Sequence, residues 1–296
     1  MDPILLTQFF ISGIMISVLY ILMAIGITFI YSIMKMINWA MGEFYMIGGY
    51  LQYLLVTAIF GVQYWFIALP IAMFSTFIIG VGFQRILLKP MFLGGIERRD
   101  DYATIVTIAL MVLLRNLAVV IGGPYIYSTP DYFPPVHLGP LPVNGSRFVA
   151  FISAFIILII FYIIVKKTWI GLAFQATAQN RIGVEAIGIN PLKIDQLTFG
   201  IGVALAAAAG ALLAPVFLVY PESGSISTMK GFEIIVIGGL GSIPGAVVGG
   251  FLLGMVETLG SVFINPSFRD IYGFLLLMLI LAIKPVGLFG EKVRVA

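Results

Sequence analysis

The sequence predicts an all-α polytopic membrane protein with about eight to nine transmembrane helices, an inverted-topology repeat and a broken Gly-rich helix. Three observations carry this. Of 296 residues, 61% are hydrophobic and only 10% charged, with a mean hydropathy of +1.11, whereas a soluble domain carries about 25% charge. The apolar runs are long and continuous, unlike the alternating segments of about ten residues in a barrel, and helices and closed barrels alone satisfy their backbone in lipid. Finally, EFYMIGGY (Glu43 to Tyr50) is echoed by EIIVIGGL (Glu233 to Leu240).

Taken in order, six crossings run from Ile4 to Ile33, Ala40 to Ile59, Trp65 to Leu88, Thr104 to Ile121, Phe148 to Val165 and Gln196 to Val219. No basic region or small-residue cleavage site opens the chain, so the first run is expected to stay as a span. Lys35, then Arg85, Lys89, Arg98 and Arg99, then Lys166, Lys167, Arg181 and Lys193 mark three basic loops. The positive-inside rule places them in the cytoplasm. The Pro- and Tyr-rich segment from Gly122 to Arg147 and the N-terminus are then outside. Lys284, Lys292 and Arg294 put the C-terminus inside, which requires an odd number of further crossings. Ala246 to Phe263 and Ile271 to Ile283 are two. The Gly-interrupted stretch from Gly231 to Ile243 is the third, read as a broken or partly re-entrant helix.

The two motif copies begin on opposite sides of the membrane, the plan of an inverted repeat with a site near the midplane. Repeat one then covers about 4–121, a connector helix 148–165, a cytoplasmic loop 166–195, and repeat two about 196–284, all within one transmembrane domain of 1–296. In the loop, Ala173 to Asn180 suits a short helix, Gly183 and Gly188 suit breaks, and Pro191 a new start. A short helix on that face fits a partner's groove, or is a plain connector.

The loop pieces GLAFQATAQN and EAIGIN stand with AAAAGALLAP, with GFEIIVIGGLGSIPGAVVGGFLLGMVE (Gly231 to Glu257) and with the tail KPVGLFG (Lys284 to Gly290). INWAMGEFYMIGGY (Ile37 to Tyr50) precedes them. In combination, over nearly the whole chain, these resemble the permease of a bacterial branched-chain amino acid ABC transporter, the first of that high-affinity importer's two permease subunits. The resemblance implies an inner-membrane importer of branched-chain or other hydrophobic amino acids. It implies a related second permease in a heterodimer, two cytoplasmic ATPase subunits that hold ATP and Mg, and a periplasmic or surface substrate-binding protein. It also implies that Gly171, Gln175, Ala176, Asn180, Ala186, Gly188 and Asn190 belong to the element that couples to the ATPase. Gln175 departs from the family, which usually has Arg there.

The residues agree in outline. No GxxxxGK[ST] pattern occurs, so ATP has no P-loop in this chain, and no cofactor is expected in it. Ionisable groups within a bilayer are functional candidates by default, which singles out Glu43, Glu233, Arg115 and Glu257. Arg115 is expected to pair with Glu257 or Glu43. Asn38, Gly42, Glu43, Gly48, Gly49, Glu233, Gly238, Gly239 and Gly241 are candidates for the translocation path or gate, the glycines because unwound backbone supplies polar contacts. Close helix packing explains the glycines equally, and Trp39 is a gate or an interfacial anchor. Tyr125, Tyr127, Tyr132 and Phe133 fit a contact with a binding protein or a solvent-side lid. His137 is the single histidine and there is no cysteine, so neither a catalytic constellation nor a metal site is expected. Nor is a nucleic-acid partner, at a net charge of +3. An ion-coupled secondary transporter of small amphipathic solutes and an ABC permease for urea or short amides remain the alternatives.

Overall fold

A computed structural model describes residues 3–94, 96–138 and 141–290. α1 (Pro3–Met34) holds no Asp, Glu, Lys or Arg and at 1.5 Å per residue runs about 48 Å. Lys35 ends it in the left-handed conformation, φ 55°, and its N–H donates to the Tyr31 carbonyl at 3.0 Å. This C-terminal cap reverses the chain. The non-helical segment 35–40 leads back along α1, so that α2 (Met41–Leu54) begins inside the bundle, with the Met41 side chain against Gly26. A π-helical turn carries α2 on to Phe60.

α3 (Trp65–Phe83) continues through irregular helical turns to Phe92. α4 (Arg99–Gly122) stops at Gly123, φ 76°. A short antiparallel hairpin follows, β1 (Val136–Leu138) with β2 (Leu141–Val143), His137 opposite Pro142. The next four helices have side-chain N-caps, each satisfying an orphan amide. Asn144 caps α5 (Gly145–Lys167), Thr168 caps α6 (Trp169–Gln179), Asn180 caps α7 (Arg181–Ala186) and Asn190 caps α8 (Pro191–Leu213). α9 (Ser223–Gly238), α10 (Ile243–Phe263) and α11 (Arg269–Ile283) complete the described chain.

Among the described residues, seven helical stretches are long and apolar enough to cross a membrane; α2 and α9 are shorter. Burial separates the seven. The most apolar windows of α1 and α8 are 94% and 83% buried, and no other exceeds 33%. α1 and α8 are therefore the central pair, and the remaining five present apolar side chains outward, among them Phe74, Ile105, Ile160, Phe251 and Met278. An apolar surface of that extent belongs in lipid, and the chain is a multi-pass membrane protein. Small residues let the central backbones meet. A Cβ at Gly48 would strike the backbone of Ala207, and one at Gly210 would strike the carbonyl of Tyr45. Phe29 of α1 sits edge-on to Phe161 of α5 and Phe174 of α6, at 5.0 and 5.1 Å.

One end of the bundle carries the hairpin, held to α1 by Gln8, whose Nε2 donates to the Pro142 carbonyl at 2.7 Å. The other carries α6 and α7. Three expectations change here. The sixth span ends at Leu213 rather than Val219, because Pro215 and Pro221 cannot continue a helix. The helix expected from Gly231 to Ile243 begins at Ser223 and ends at Gly238, with Gly239 and Gly241 at φ 103° and 80° turning into α10. Gly183 does not break the loop helix: its amide donates to the Asn180 cap, and the breaks fall at Asn180, between α6 and α7, and at Gly188, φ 87°. Lys292 and Arg294 lie outside the described residues.

Candidate functional site

Two interior helix starts organise the centre. The first turns of α2 and α9 abut, the Gly42 amide donating to Thr228 Oγ1 at 3.0 Å. A Cβ at Gly42 would collide with the Gly224 carbonyl. Glu43 lies fully buried in this crossing, in the first turn of α2, with its carboxylate against Gly224 and neither oxygen hydrogen-bonded among the described residues. Carboxylates are stabilised at helix N-termini, and Glu43 stands where two of them meet. Thr228 also donates to the Gly224 carbonyl. Trp39 packs on Phe232 at 4.8 Å, and Asn38 Oδ1 accepts from the Ala40 amide. Trp39 and Gly42 thus fasten the α2 start to α9, while Asn38 holds the turn before α2 locally.

Beside this crossing lies a cavity of about 490 Å³. Leu19, Tyr20 and Met23 of α1, Tyr45 of α2, and Leu213, Val216 and Phe217 at the end of α8 form part of its wall. Ser223, Ser227 and Lys230 of α9 and Arg269 and Asp270 of α11 supply the polar part. Behind that part stands Glu257 of α10, fully buried. Its carboxylate accepts from Tyr20 Oη at 2.8 Å, Lys230 Nζ at 2.5 Å and Arg269 Nε at 3.0 Å. Lys230 also pairs with Asp270 at 2.8 Å, Arg269 Nη2 donates to Tyr20 Oη at 3.1 Å, and the guanidinium sits 4.9 Å over the Phe217 ring. Buried charge survives only when paired and hydrogen-bonded in this way. The volume lies in the range of small-ligand sites, and an apolar wall facing a few convergent polar groups is their usual make-up.

Of the expected path residues, neither glutamate nor any glycine lines this cavity. Glu233 is buried behind it, its Oε2 beside Gly273. Glu43 and Glu233 are not register mates, since one opens α2 and the other lies toward the end of α9. The shared glycines reflect close packing rather than shared position. Gly48 and Gly49 face α8 and Val219. Gly238, Gly239 and Gly241 form the α9–α10 turn at the α6–α7 end, away from the midplane. There the carbonyls of Ile237 and Gly238 are occupied by the amides of Leu288 and Phe289. Arg115 pairs with neither Glu257 nor Glu43. It bonds Glu222 at 3.1 Å, both about half exposed, because α4 runs along the periphery beside the start of α9 and Glu257 is already saturated. Lys230, Arg269 and Asp270 were missed. Each adjoins the edge of an expected span, and nothing local shows that they converge on Glu257.

The loop candidates divide similarly. Gly171 packs under the last carbonyls of α5, and Gln175 Nε2 donates to the Val165 carbonyl at 2.9 Å, so both fasten α6 to α5. Asn180 and Asn190 are helix caps, and Ala176 is half-buried. Asn180, Ala186, Gly188 and Asn190 are solvent-exposed, and beside them Trp169, Ile170, Leu172, Ile182 and Ile187 present apolar surface. Arg181 ties this platform to the bundle through a bidentate pair with buried Asp195 of α8, at 2.6 and 2.9 Å, and lies over the Phe92 ring at 4.2 Å. Arg181→Ala leaves Asp195 buried without its counter-charge. The expected cost is about 3 kcal/mol, read as a lower unfolding temperature and faster proteolysis between α6 and α8. An unchanged proteolysis rate would contradict it.

In the hairpin loop, Tyr132 stacks on Trp65 and donates to the Ala211 carbonyl, and Tyr127 pairs with Val219, leaving Tyr125 and Phe133 exposed. His137 is exposed, and no cluster of metal-ligating side chains occurs among the described residues.

Comparison with known proteins agrees with the architecture. A family model described as the permease component of the branched-chain amino acid transport system matches residues 9–283. The high-affinity branched-chain amino acid transport system permease protein LivH of Salmonella typhimurium is 31% identical over 95% of this chain and 94% of its own. BraD of Pseudomonas aeruginosa, described in the same words, is 31% identical over 96% and 95%. The permease protein LivM of Escherichia coli is 24% identical over 92% of this chain and 68% of its own. An interior helix crossing, a charged cavity beside it and a similarity spanning the whole bundle converge: the chain belongs to the branched-chain amino acid transport permease family.

Proposed function

We propose that this chain is one permease subunit of an ATP-driven ABC importer for branched-chain or other hydrophobic amino acids, working by alternating access. The observation that carries the reading is the α6–α7 platform: exposed, partly apolar, and riveted through Arg181–Asp195 to the central helix α8. Force applied to such a platform reaches the bundle without slack. The separate ATPase subunits, holding ATP and Mg, dock there, with Ala186, Gly188 and Asn190 at the contact. Lys89, Lys166, Lys167 and Arg181 lie at the ends of helices on that side, which makes it the cytoplasmic face by the positive-inside rule. The hairpin then faces the periplasm or cell exterior and meets the substrate-binding protein. LivH and LivM are both named as permease proteins of the high-affinity system, which supports a heterodimer of this chain with a second permease.

Leucine uptake into proteoliposomes tests this. Uptake that requires ATP, the second permease, both ATPase subunits and the binding protein supports the reading. Gradient-driven uptake by the chain alone overturns it in favour of an ion-coupled transporter.

A further inference from the structure

We propose that the cavity between α1, α8, α9 and α11 is a zwitterion-reading site. It takes the α-ammonium and α-carboxylate of an amino acid in exchange for the Lys230–Asp270 ion pair. The inference rests on the importer reading above and extends it from a subunit role to a substrate-contacting site within this chain.

The charge pattern argues first. Lys230, Arg269, Glu257 and Asp270 form a balanced quartet of two cations and two anions. A net positive pocket would select anions and a net negative one cations. Balanced charge of both signs on adjacent groups is complementary to a molecule carrying both. The second argument is which pair can open. Glu257 is fully buried and accepts from three donors, so it is fixed. Asp270 has a side chain 65% exposed and reaches only the Lys230 ammonium, which is 13% exposed. Moving Asp270 off Lys230 costs little, because an exposed carboxylate regains water. Lys230 keeps Glu257 and has donor capacity left, as an ammonium has three protons. A ligand carboxylate bonds Lys230 in the place of Asp270, and Asp270 accepts from the ligand ammonium. One ion pair within the protein is exchanged for two between protein and ligand, and no proton moves.

The remaining wall defines the rest of the ligand. Leu19, Met23, Leu213 and Val216 supply apolar wall to the same cavity, and Phe217 lies under the Arg269 guanidinium. That wall suits a branched aliphatic side chain. The start of α9 at Ser223 opens onto the same space. This arrangement needs no unwound glycine backbone. It reads the ligand with side chains in the middle of α9 and at the start of α11.

The test uses the assembled permease–ATPase complex in nanodiscs, without the binding protein, and radiolabelled L-leucine in equilibrium dialysis. Saturable binding is expected, displaced by unlabelled leucine. Leucinamide, which lacks the carboxylate, and 4-methylpentanoate, which lacks the ammonium, are each expected to compete at least about tenfold more weakly, the scale of one lost charged hydrogen bond. Asp270→Asn weakens binding by a similar factor, and Asp270→Glu restores most of it. Absent saturable binding overturns the proposal, and so does equal competition by all three compounds or wild-type affinity in Asp270→Asn. ATP-dependent uptake by the same complex with its binding protein separates the two levels. Uptake without saturable binding to the complex removes this site alone. Uptake that does not depend on the ATPase subunits removes the importer reading beneath it.

Discussion

Glu257→Gln is expected to lower the stability of the chain by about 3–5 kcal/mol, the range for breaking a buried ion pair. For a chain of this size that amounts to about 5–10 °C in unfolding temperature. The amide keeps the shape of the side chain but not its charge. Lys230 and Arg269, with side chains 13% and 26% exposed, are then left to share Asp270. Tyr20, whose hydroxyl now donates to Glu257 and accepts from Arg269, loses a charged acceptor in a buried position. Four helices meet through this carboxylate, so its loss loosens α1, α9, α10 and α11 together. The charge argument makes a sharper claim. Removing Lys230 as well, in Lys230→Met with Glu257→Leu, restores a balanced pair of Arg269 and Asp270. The double variant is therefore expected to be more stable than Glu257→Gln alone. Thermal unfolding in detergent, followed by tryptophan fluorescence, measures both. A double variant less stable than the single one would show that Glu257 contributes through shape and hydrogen bonding rather than charge balance.

The network also marks where sequence reading reaches its limit. The fold was legible because lipid imposes a simple rule on the chain: a span must be long, apolar and helical. α1, α4, α5 and α10 satisfy that rule without ambiguity, and their ends fall within a few residues of expectation. The loop helix was legible from its polarity, although Gly183 was misread, because a glycine whose amide meets an Asn cap looks in sequence like a helix breaker. The cavity was not legible. Lys230 precedes the stretch expected as a span, and Arg269 and Asp270 precede the last one, so each looks like an ordinary boundary charge. Only the interior start of α9 brings Lys230 to Glu257. That start depends on the turn after Leu213, which is fixed by tertiary contacts such as the Tyr127–Val219 bridge. Glu43 and Glu233 attracted attention by their intramembrane position. Their burial is explained by a helix-start crossing in one case and by the space behind the quartet in the other.

Gly48→Val is expected to be more damaging to assembly than any surface substitution, because of where α2 touches the central helix α8. α2 runs beside α8 with Gly48 over Ala207 and Tyr45 over Gly210, so backbone lies on backbone with no side chain between. Even the first carbon of a side chain at Gly48 would overlap the Ala207 main chain. Main chain inside two packed helices cannot step aside as a flexible side chain can. Gly48→Ala should cost about 1–3 kcal/mol by overpacking, and Gly48→Val more, since its branches meet the same wall. Moving α2 away from α8 would also shift the Gly42–Thr228 contact that joins the two interior helix starts. Leucine uptake should therefore fall with stability. Gly82 supplies the contrast. It lies in α3, where a Cβ would meet nothing within 4 Å, and Gly82→Ala should be neutral or stabilising by up to about 1 kcal/mol through helix propensity. Size-exclusion profiles and unfolding temperatures of the three variants separate the two sites. If Gly48→Ala and Gly82→Ala behave alike, close approach of α2 and α8 is not what holds the centre of the bundle together.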